Sequence, residues 1–502
     1  MQHILWQLVL VCACSISALS VAQPLPQSAQ ALSLDQQALH VANRLGYGAT
    51  PELVRQIKRM GVGHYLDQQL RPKTPTDTAL QARLAAAGIR AKDPQQQLYQ
   101  LAQLYPTTKD PQLISSNAVL RQQWVKQQLA DVRRAKLIRA VYSEHQLQAV
   151  LTDFWMNHFN VHAQHPIVVS LLSDYECCAI QPHVLGSFEQ MLLATAKHPV
   201  MSQYLNNRTS VKNSTDAQGR VRGMNENYAR EVMELHTLGV NGGYQQTDVK
   251  ALATLLTGWS FNPKGGQSGA SLFVFDPKRH DAQPVTFLGR KLGGQGVQDG
   301  EAALKYLAQH PSTARFIAFK LAQYFVADQP PQRLVTDLTQ RYLNSRGDLH
   351  VVMQTLVYSP EFWDKRYVAT KFKTPFEYVV SSVRLIGVDL PNQDGLNQYL
   401  QQMGMLSYGR PTPDGYPVIE AEWRSPAALN QRLDFAQKLG HLKIRLNTEA
   451  PRATVSKPPL AAEHVLAQIP TLLHPRSAQT IRQAPVALQW PLLLSTPELM
   501  YR

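Results

Sequence analysis

The sequence is short of several features that would assign it to a particular class of protein. It has only four cysteines in 502 residues, and no run of about twenty apolar residues follows the first twenty positions. Acidic residues are also scarce, because 36 Asp and Glu face 50 Lys and Arg and leave a formal net charge of +14. With 44% apolar and 17% charged residues, the composition excludes a disordered chain and a multispan membrane protein. We therefore expect a packed globular protein with a basic surface.

Familiar catalytic motifs are missing as well. There is no Gly-x-Ser-x-Gly elbow, Walker loop, complete dinucleotide fingerprint, Cys-x-x-Cys pair or di-iron Glu-x-x-His pair. The basic residues are scattered among glutamines instead of forming basic runs interleaved with aromatics, so no nucleic-acid partner is expected. A positive charge of this kind favours contact with anionic envelope polymers or lipid headgroups.

The start of the chain is typical of an exported protein. Residues 4–19 are apolar but too few to span a bilayer comfortably, and the small residues Ser20 and Ala22 precede Gln23. This pattern predicts a signal peptide over 1–22 and a periplasmic or extracellular mature chain, although Lys and Arg are absent before the apolar run. A lipid anchor is the alternative. The mature chain would keep the adjacent Cys177 and Cys178, which we expect to be buried thiols, since a disulfide between neighbours is strained.

Helical periodicity dominates the remainder and predicts a mainly α protein, a single large multi-helix domain over 23–502. Apolar residues recur at helical spacing across 119–158, and Thr374-Pro375-Phe376-Glu377 reads as a capping box with Pro at the first helical position. Three stretches interrupt this pattern. Residues 405–426 are rich in Pro and Gly and predict a long ordered loop. Residues 259–292 predict a small β-hairpin insertion, and the polar residues 206–223 predict a mobile surface loop.

Several phrases in the chain closely resemble the large bacterial family called domain of unknown function 1800. They cover nearly all of the predicted mature chain: 40–48 (HVANRLGYG), 154–159 (FWMNHF), 225–231 (NENYARE), 234–239 (ELHTLG), 256–259 (LTGW), 280–281 (HD), 359–363 (SPEFW) and 496–499 (TPEL). The resemblance implies an exported bacterial protein of uncharacterised activity, encoded beside another exported family that is a candidate partner. The chain departs from the family pattern at Val285, where Lys is frequent, and at Met405, where Gln is frequent.

One of these phrases places two carboxylates on one side of a helix. Asn227, Arg230, Glu231 and Glu234 are separated by three- and four-residue steps, as are groups on one side of a helix. With a nearby histidine, Glu231 and Glu234 would be able to bind a metal or to divide acid and base roles. The alternative is a solvated face with an ion pair between Arg230 and Glu234, and the sequence leaves both interpretations open.

The histidines of the motifs are the other candidates. His158 and His162 are four apart, but Phe159 stands where a zinc-protease helix carries Glu, so that motif is excluded. The alternative interpretation of His158 is a buried core histidine whose ring nitrogens form hydrogen bonds with Asp153, Asn157 or the backbone. His280 and Asp281 belong either to a cleft or to a surface turn.

We expect the 154–159 and 225–239 phrases to meet in the helical bundle. The predicted catalytic residues are His158, Glu231, Glu234, His236 and Asp281, and the predicted metal ligands are His158, Glu234 and His280, with a divalent cation as the cofactor. Two functions follow as alternatives. One is a metal-assisted hydrolase acting on an envelope or extracellular polymer, and the other is a non-catalytic binding or assembly protein for an exported partner.

Overall fold

The computed structural model describes residues 23–71, 77–105, 109–215, 221–388, 394–443 and 460–502. Within these residues the protein is mainly α-helical, as the sequence predicts, and nearly all of its buried apolar side chains form one continuous core. The predicted signal peptide, residues 1–22, lies outside the described residues. No described helix has the length and apolar character that a membrane crossing requires.

The first half of the fold packs short helices around one long one. The helices are α1 Gln27–Gln30, α2 Leu34–Arg44, α3 Pro51–Met60, α4 Val62–Leu70, α5 Thr78–Ala86, α6 Pro94–Gln103, α7 Pro111–Tyr142, α8 Gln146–His158, α9 Pro166–Asp174, α10 Phe188–Lys197, α11 Pro199–Tyr204 and α12 Glu226–Glu231. Helices α9 and α12 each continue into a wider π-helical turn, over Tyr175–Ile180 and Val232–His236.

The second half adds pairs of packed helices, such as α15 on α16 and α20 on α23. They are α13 Gln246–Leu255, α14 Val297–Ala308, α15 Pro311–Phe325, α16 Gln332–Asn344, α17 Leu349–Val357, α18 Pro375–Ile386, α19 Asp394–Gln402, α20 Pro426–Gly440, α21 Ala462–Gln468, α22 Pro475–Gln483 and α23 Val486–Ser495. Short 3₁₀ turns occupy Gln181–His183, Asn207–Thr209, Glu420–Glu422 and Pro497–Met500.

Sequence-local chemistry explains where several helices begin. Ser33 accepts a hydrogen bond from the Gln36 amide to start α2, and Thr374 accepts one from the Glu377 amide to start α18. At α18 the Thr374 amide donates back to the Glu377 carboxylate at 2.8 Å, which completes the predicted capping box. Such caps depend on residues three apart, and for this reason the sequence alone reveals them.

Within the described ranges, the β-strands form three antiparallel two-stranded pairs. These are β1 Ser214–Thr215 with β2 Val221–Arg222, β3 Trp259–Phe261 with β4 Phe273–Phe275, and β5 Val285–Phe287 with β6 Arg290–Leu292. The 259–292 region thus holds two small pairs where one hairpin was predicted. Within the 206–223 loop, Asn207 and Ser210 are buried, and residues 216–220 lie outside the described part of the chain.

Candidate functional site

A cavity of about 280 Å³ opens where α8 ends, beside α15 and the start of α18. The segment 405–419, which follows α19, forms its remaining wall. The polar side chains that line it are Lys136, Asp153, Asn157, His158, Asn160, Lys320, Gln323, Tyr324, Thr374, Glu377, Ser407, Tyr408, Asp414 and Tyr416. This convergence of polar groups on one concave site is the usual setting for ligand binding or catalysis.

The 154–159 phrase, with the Asn160 that follows it, lines one wall of this cavity and holds a second wall in place. The Asn157 side chain donates to Tyr416 O at 2.8 Å and accepts from the Tyr416 amide at 2.7 Å. The backbone of Gly415 passes so close that a Cβ there would lie 2.2 Å from Asn157 O, and its φ of 73° also suits glycine. Asn160 holds the same segment by donating to Thr412 O at 2.7 Å. The two asparagines therefore fix the 405–419 wall, while His158 faces the cavity.

His158 is buried, and each of its ring nitrogens already has a partner. Its Nε2 lies 3.1 Å from the backbone oxygen of His236, and because a carbonyl only accepts, Nε2 carries the proton. The other nitrogen, Nδ1, then accepts from Lys320 Nζ at 3.0 Å. Burial, followed by the positive charge of Lys320, holds the pKa of His158 well below its usual value. His158 thus stays neutral at physiological pH and orients the lysine.

Lys320 is the unusual charge of the cavity. It lies on α15 and lines the cavity, and burial of its ammonium lowers its pKa to about 8. Asp414 acts in the opposite direction and raises this pKa. Among the described residues, no carboxylate oxygen lies within 4 Å of the Lys320 ammonium. A pKa near 8 leaves about a tenth of the amine neutral at pH 7.

The other charged groups of the lining are compensated. Lys136 forms an ion pair with Asp153, and Glu377 accepts from Tyr324 Oη at 2.9 Å and pairs with Arg502 at 3.0 Å. The Asp414 carboxylate likewise lies 2.7 Å from an Arg410 nitrogen. Lys320 therefore stands apart, since its only close polar partner in the described structure is the neutral imidazole of His158.

The two predicted glutamates lie elsewhere. Glu234 pairs with Arg230 at 3.6 Å, as the solvated-face interpretation requires, and burial followed by the charge of Glu234 raises the pKa of Glu231. Neither glutamate lines the cavity or hydrogen-bonds to His158. The 154–159 and 225–239 phrases do lie close together, and the contact is made by His236, whose ring centroid lies 6.0 Å from that of His158. No hydrogen bond or ion pair of the described residues joins Glu231 or Glu234 to His158, and their catalytic role stays a prediction.

The remaining predicted residues divide between two places. His236 is buried, burial lowers its pKa to about 3, and its Nε2 has no hydrogen-bond partner among the described residues. His280 Nδ1 lies 2.9 Å from Thr257 O, and the Asp281 amide donates to Thr257 Oγ1 at 2.8 Å, so both residues fix the turn before β5.

The predicted metal ligands His158, Glu234 and His280 do not assemble into a compact set. Within the described ranges, one group of three or more His, Cys, Asp and Glu residues has its ligand atoms within 4.8 Å of each other, and it contains none of the three. Both nitrogens of His158 are also engaged. This donor arrangement does not fit the divalent cation that the sequence predicts at His158.

The sequence reasoning missed Lys320, although a signal for it exists. A single lysine stands in the apolar run 316–322 (FIAFKLA) of α15. A charged residue within a buried helical stretch requires a partner or a function, so it deserves the same scrutiny as a motif histidine.

The comparison with protein families agrees with the motif resemblance. The family described as "Protein of unknown function (DUF1800)" matches residues 40–501, nearly the whole chain, and the protein therefore belongs to that family. No curated protein and no solved structure matches the chain.

Proposed function

We propose that this protein is an exported bacterial hydrolase of an envelope or extracellular polymer, with the His158–Lys320 cavity as its active site. The observation that carries the proposal is the 3.0 Å contact between Lys320 Nζ and His158 Nδ1 at the wall of the cavity. A general base works best when its pKa lies near the operating pH, and a lysine of pKa about 8 meets that condition.

The hydrogen-bonding roles of the pair define the mechanism. A neutral lysine amine has two N–H groups and one lone pair. When one N–H donates to His158 Nδ1, the lone pair is free to accept a proton from a water molecule in the cavity. The activated water then attacks the substrate bond, and the resulting ammonium returns the proton to the leaving group. Lys320 acts in this scheme as base and then acid, and His158 is a positioning residue.

Export and a polymeric substrate rest on the sequence. The first 22 residues have the order of a signal peptide, and the net charge of +14 favours anionic polymers as ligands. Mass spectrometry of the native protein's N-terminus tests the first point. A chain beginning at Gln23 is expected, and an intact Met1 in the cytosolic fraction would contradict export.

The activity is tested on purified peptidoglycan and on anionic polysaccharides of the envelope, with release of soluble fragments as the readout. Cleavage should rise with pH through about 8, because the neutral form of Lys320 is the base. Lys320→Met should reduce cleavage by about 10²- to 10⁴-fold. Lys305→Met, which alters an exposed lysine of α14, should leave it unchanged. Equal cleavage by wild type and Lys320→Met would exclude this site.

A binding or assembly role is the second candidate, and one feature favours it. The first half of α7 exposes the apolar side chains Leu113, Ile114, Val119 and Leu120, which would suit an apolar partner surface.

The pH dependence of the cavity distinguishes binding from catalysis. If the cavity only binds anions, ligand retention should fall above pH 8 as Lys320 loses its charge. That trend is opposite to the one expected for catalysis.

A further inference from the structure

A second group of reactive side chains lies where α9 ends and its π-helical turn begins. The ligand atoms of Asp174, Cys177 and Cys178 all lie within 4.8 Å of one another, and both cysteines are free thiols. Cys178 is exposed and Cys177 is only partly buried, so the sequence-based expectation of two buried thiols is wrong. We propose that these three residues form a binding site for a thiophilic metal ion of the zinc class.

The wider turn explains how neighbouring residues can share one ion. On a regular α-helix, consecutive side chains do not face each other. The π-helical segment Tyr175–Ile180 changes this spacing, and such segments occur frequently at functional sites. Tetrahedral zinc with Zn–S bonds of about 2.3 Å requires sulfur atoms about 3.8 Å apart, which is within the separation found here.

The carboxylate of this site is already oriented by a supporting residue. His198 Nδ1 accepts from the Val200 amide at 3.2 Å, so its proton is on Nε2. That Nε2–H donates to Asp174 Oδ2 at 2.9 Å. The Asp174 side chain also meets the Cys178 thiol, whose proton would be released when a metal binds. Carboxylates hydrogen-bonded to a histidine are usual around bound metals.

The ligand types select the class of ion. Two thiolates favour zinc and related soft cations over magnesium or calcium, which prefer oxygen ligands. Three protein ligands leave a fourth position for water or for an external ligand, and the exposure of Cys178 gives access to it. None of the three residues lines the His158–Lys320 cavity, so the site is independent of the proposed hydrolase activity.

The test uses the full chain, reduced and then freed of reductant and chelator under nitrogen. Titration with Co²⁺ should give thiolate-to-cobalt charge-transfer absorption that saturates at one ion per chain, and Zn²⁺ should displace the cobalt. The double variant Cys177→Ser/Cys178→Ser should lose this absorption. The chain that begins at Gln23, which lacks Cys12 and Cys14 but keeps Cys177 and Cys178, should retain it.

Two further variants separate ligation from simple thiol chemistry. Asp174→Asn removes an anionic ligand and should weaken Co²⁺ binding at least tenfold, and His198→Ala should weaken it about 10- to 100-fold by releasing Asp174. Circular dichroism checks that both variants fold. Absorption that persists in Cys177→Ser/Cys178→Ser would overturn the proposal. So would a reduced wild-type chain that gives no charge-transfer band.

Discussion

Two groups of charged side chains lie along helix α15, and they differ in whether each charge has a partner of opposite sign. Near its end, Arg44 and Arg502 donate to its last carbonyls, with Arg44 Nη1 3.0 Å from Val326 O and Arg502 Nη2 3.0 Å from Tyr324 O. The carboxylate of Glu377 faces Arg502 in this core cluster. One turn earlier on α15, Lys320 has only the neutral His158 as a close partner.

The difference separates structural charge from reactive charge. In the core cluster, burial alone would raise the pKa of Glu377, but Arg502, the Thr374 amide and the Tyr324 hydroxyl outweigh burial and lower it. At Lys320 nothing of comparable strength opposes burial, and the pKa falls toward the pH at which proton transfer is useful. Charge on a buried helix therefore marks a site only when its compensation is missing.

The largest expected effect comes from breaking the core cluster at Glu377. Glu377→Gln keeps the size and the capping oxygen but removes the charge that faces Arg502. Leaving that guanidinium uncompensated should lower the free energy of unfolding by about 3–5 kcal/mol, measured by urea denaturation. The control is Asp434→Asn in an exposed pair with Lys438, which should cost less than about 0.5 kcal/mol. A loss at Glu377 as small as the control's would remove the distinction between the two regions.

Removal of the Lys320 charge should have a large effect on activity and little effect on stability. Lys320→Met should reduce polymer cleavage by about 10²- to 10⁴-fold while stability at pH 7 is unchanged or higher. The folded pKa of about 8 lies below the ordinary lysine value, so the unfolded chain binds more protons between pH 8 and 10.5. The free energy of unfolding of the wild type should therefore rise relative to that of the variant between pH 8 and 10.5. A stability loss at pH 7 would identify Lys320 as a structural residue.

The buried histidines should make the protein sensitive to acid. Burial lowers the pKa of His40 and of His236 to about 3, so the unfolded chain binds extra protons once the pH falls below about 6.5. Stability should then decline toward pH 3, by about 1.4 kcal/mol per pH unit for each such histidine. Between pH 6.5 and 3, the melting temperature should fall less steeply with decreasing pH in His40→Gln than in the wild type.

The smallest effect is expected at the acidic helix that the sequence favoured as a site. Glu234→Gln breaks a 3.6 Å pair with Arg230 that is partly open to solvent, and it should change stability by less than about 0.5 kcal/mol. Polymer cleavage should stay at the wild-type level because Glu234 does not line the cavity. A large loss of cleavage in this variant would restore the glutamates as catalytic candidates.

Several features of the site follow from the sequence, and several do not. His158 of the 154–159 phrase was a candidate from the sequence, and it lines the cavity. Asn157 and Asn160, which hold the opposite wall, were not candidates. Glu231 and Glu234 were candidates because carboxylates at helical spacing resemble an acid–base pair. The same spacing offered the alternative, an ion pair between Arg230 and Glu234, and the structure has that pair at 3.6 Å.

The sequence by itself determined the helical class, the family and the helix starts, since periodicity and caps involve residues only three or four apart. The capping box at Thr374 and Glu377 is such a case. The tertiary structure alone decided which charged groups are compensated. Lys320 and His158 are 162 positions apart, and the pKa of each depends on how much protein surrounds it and on charges contributed by other elements. Desolvation and Coulomb interactions act through space, so no local pattern along the chain encodes them.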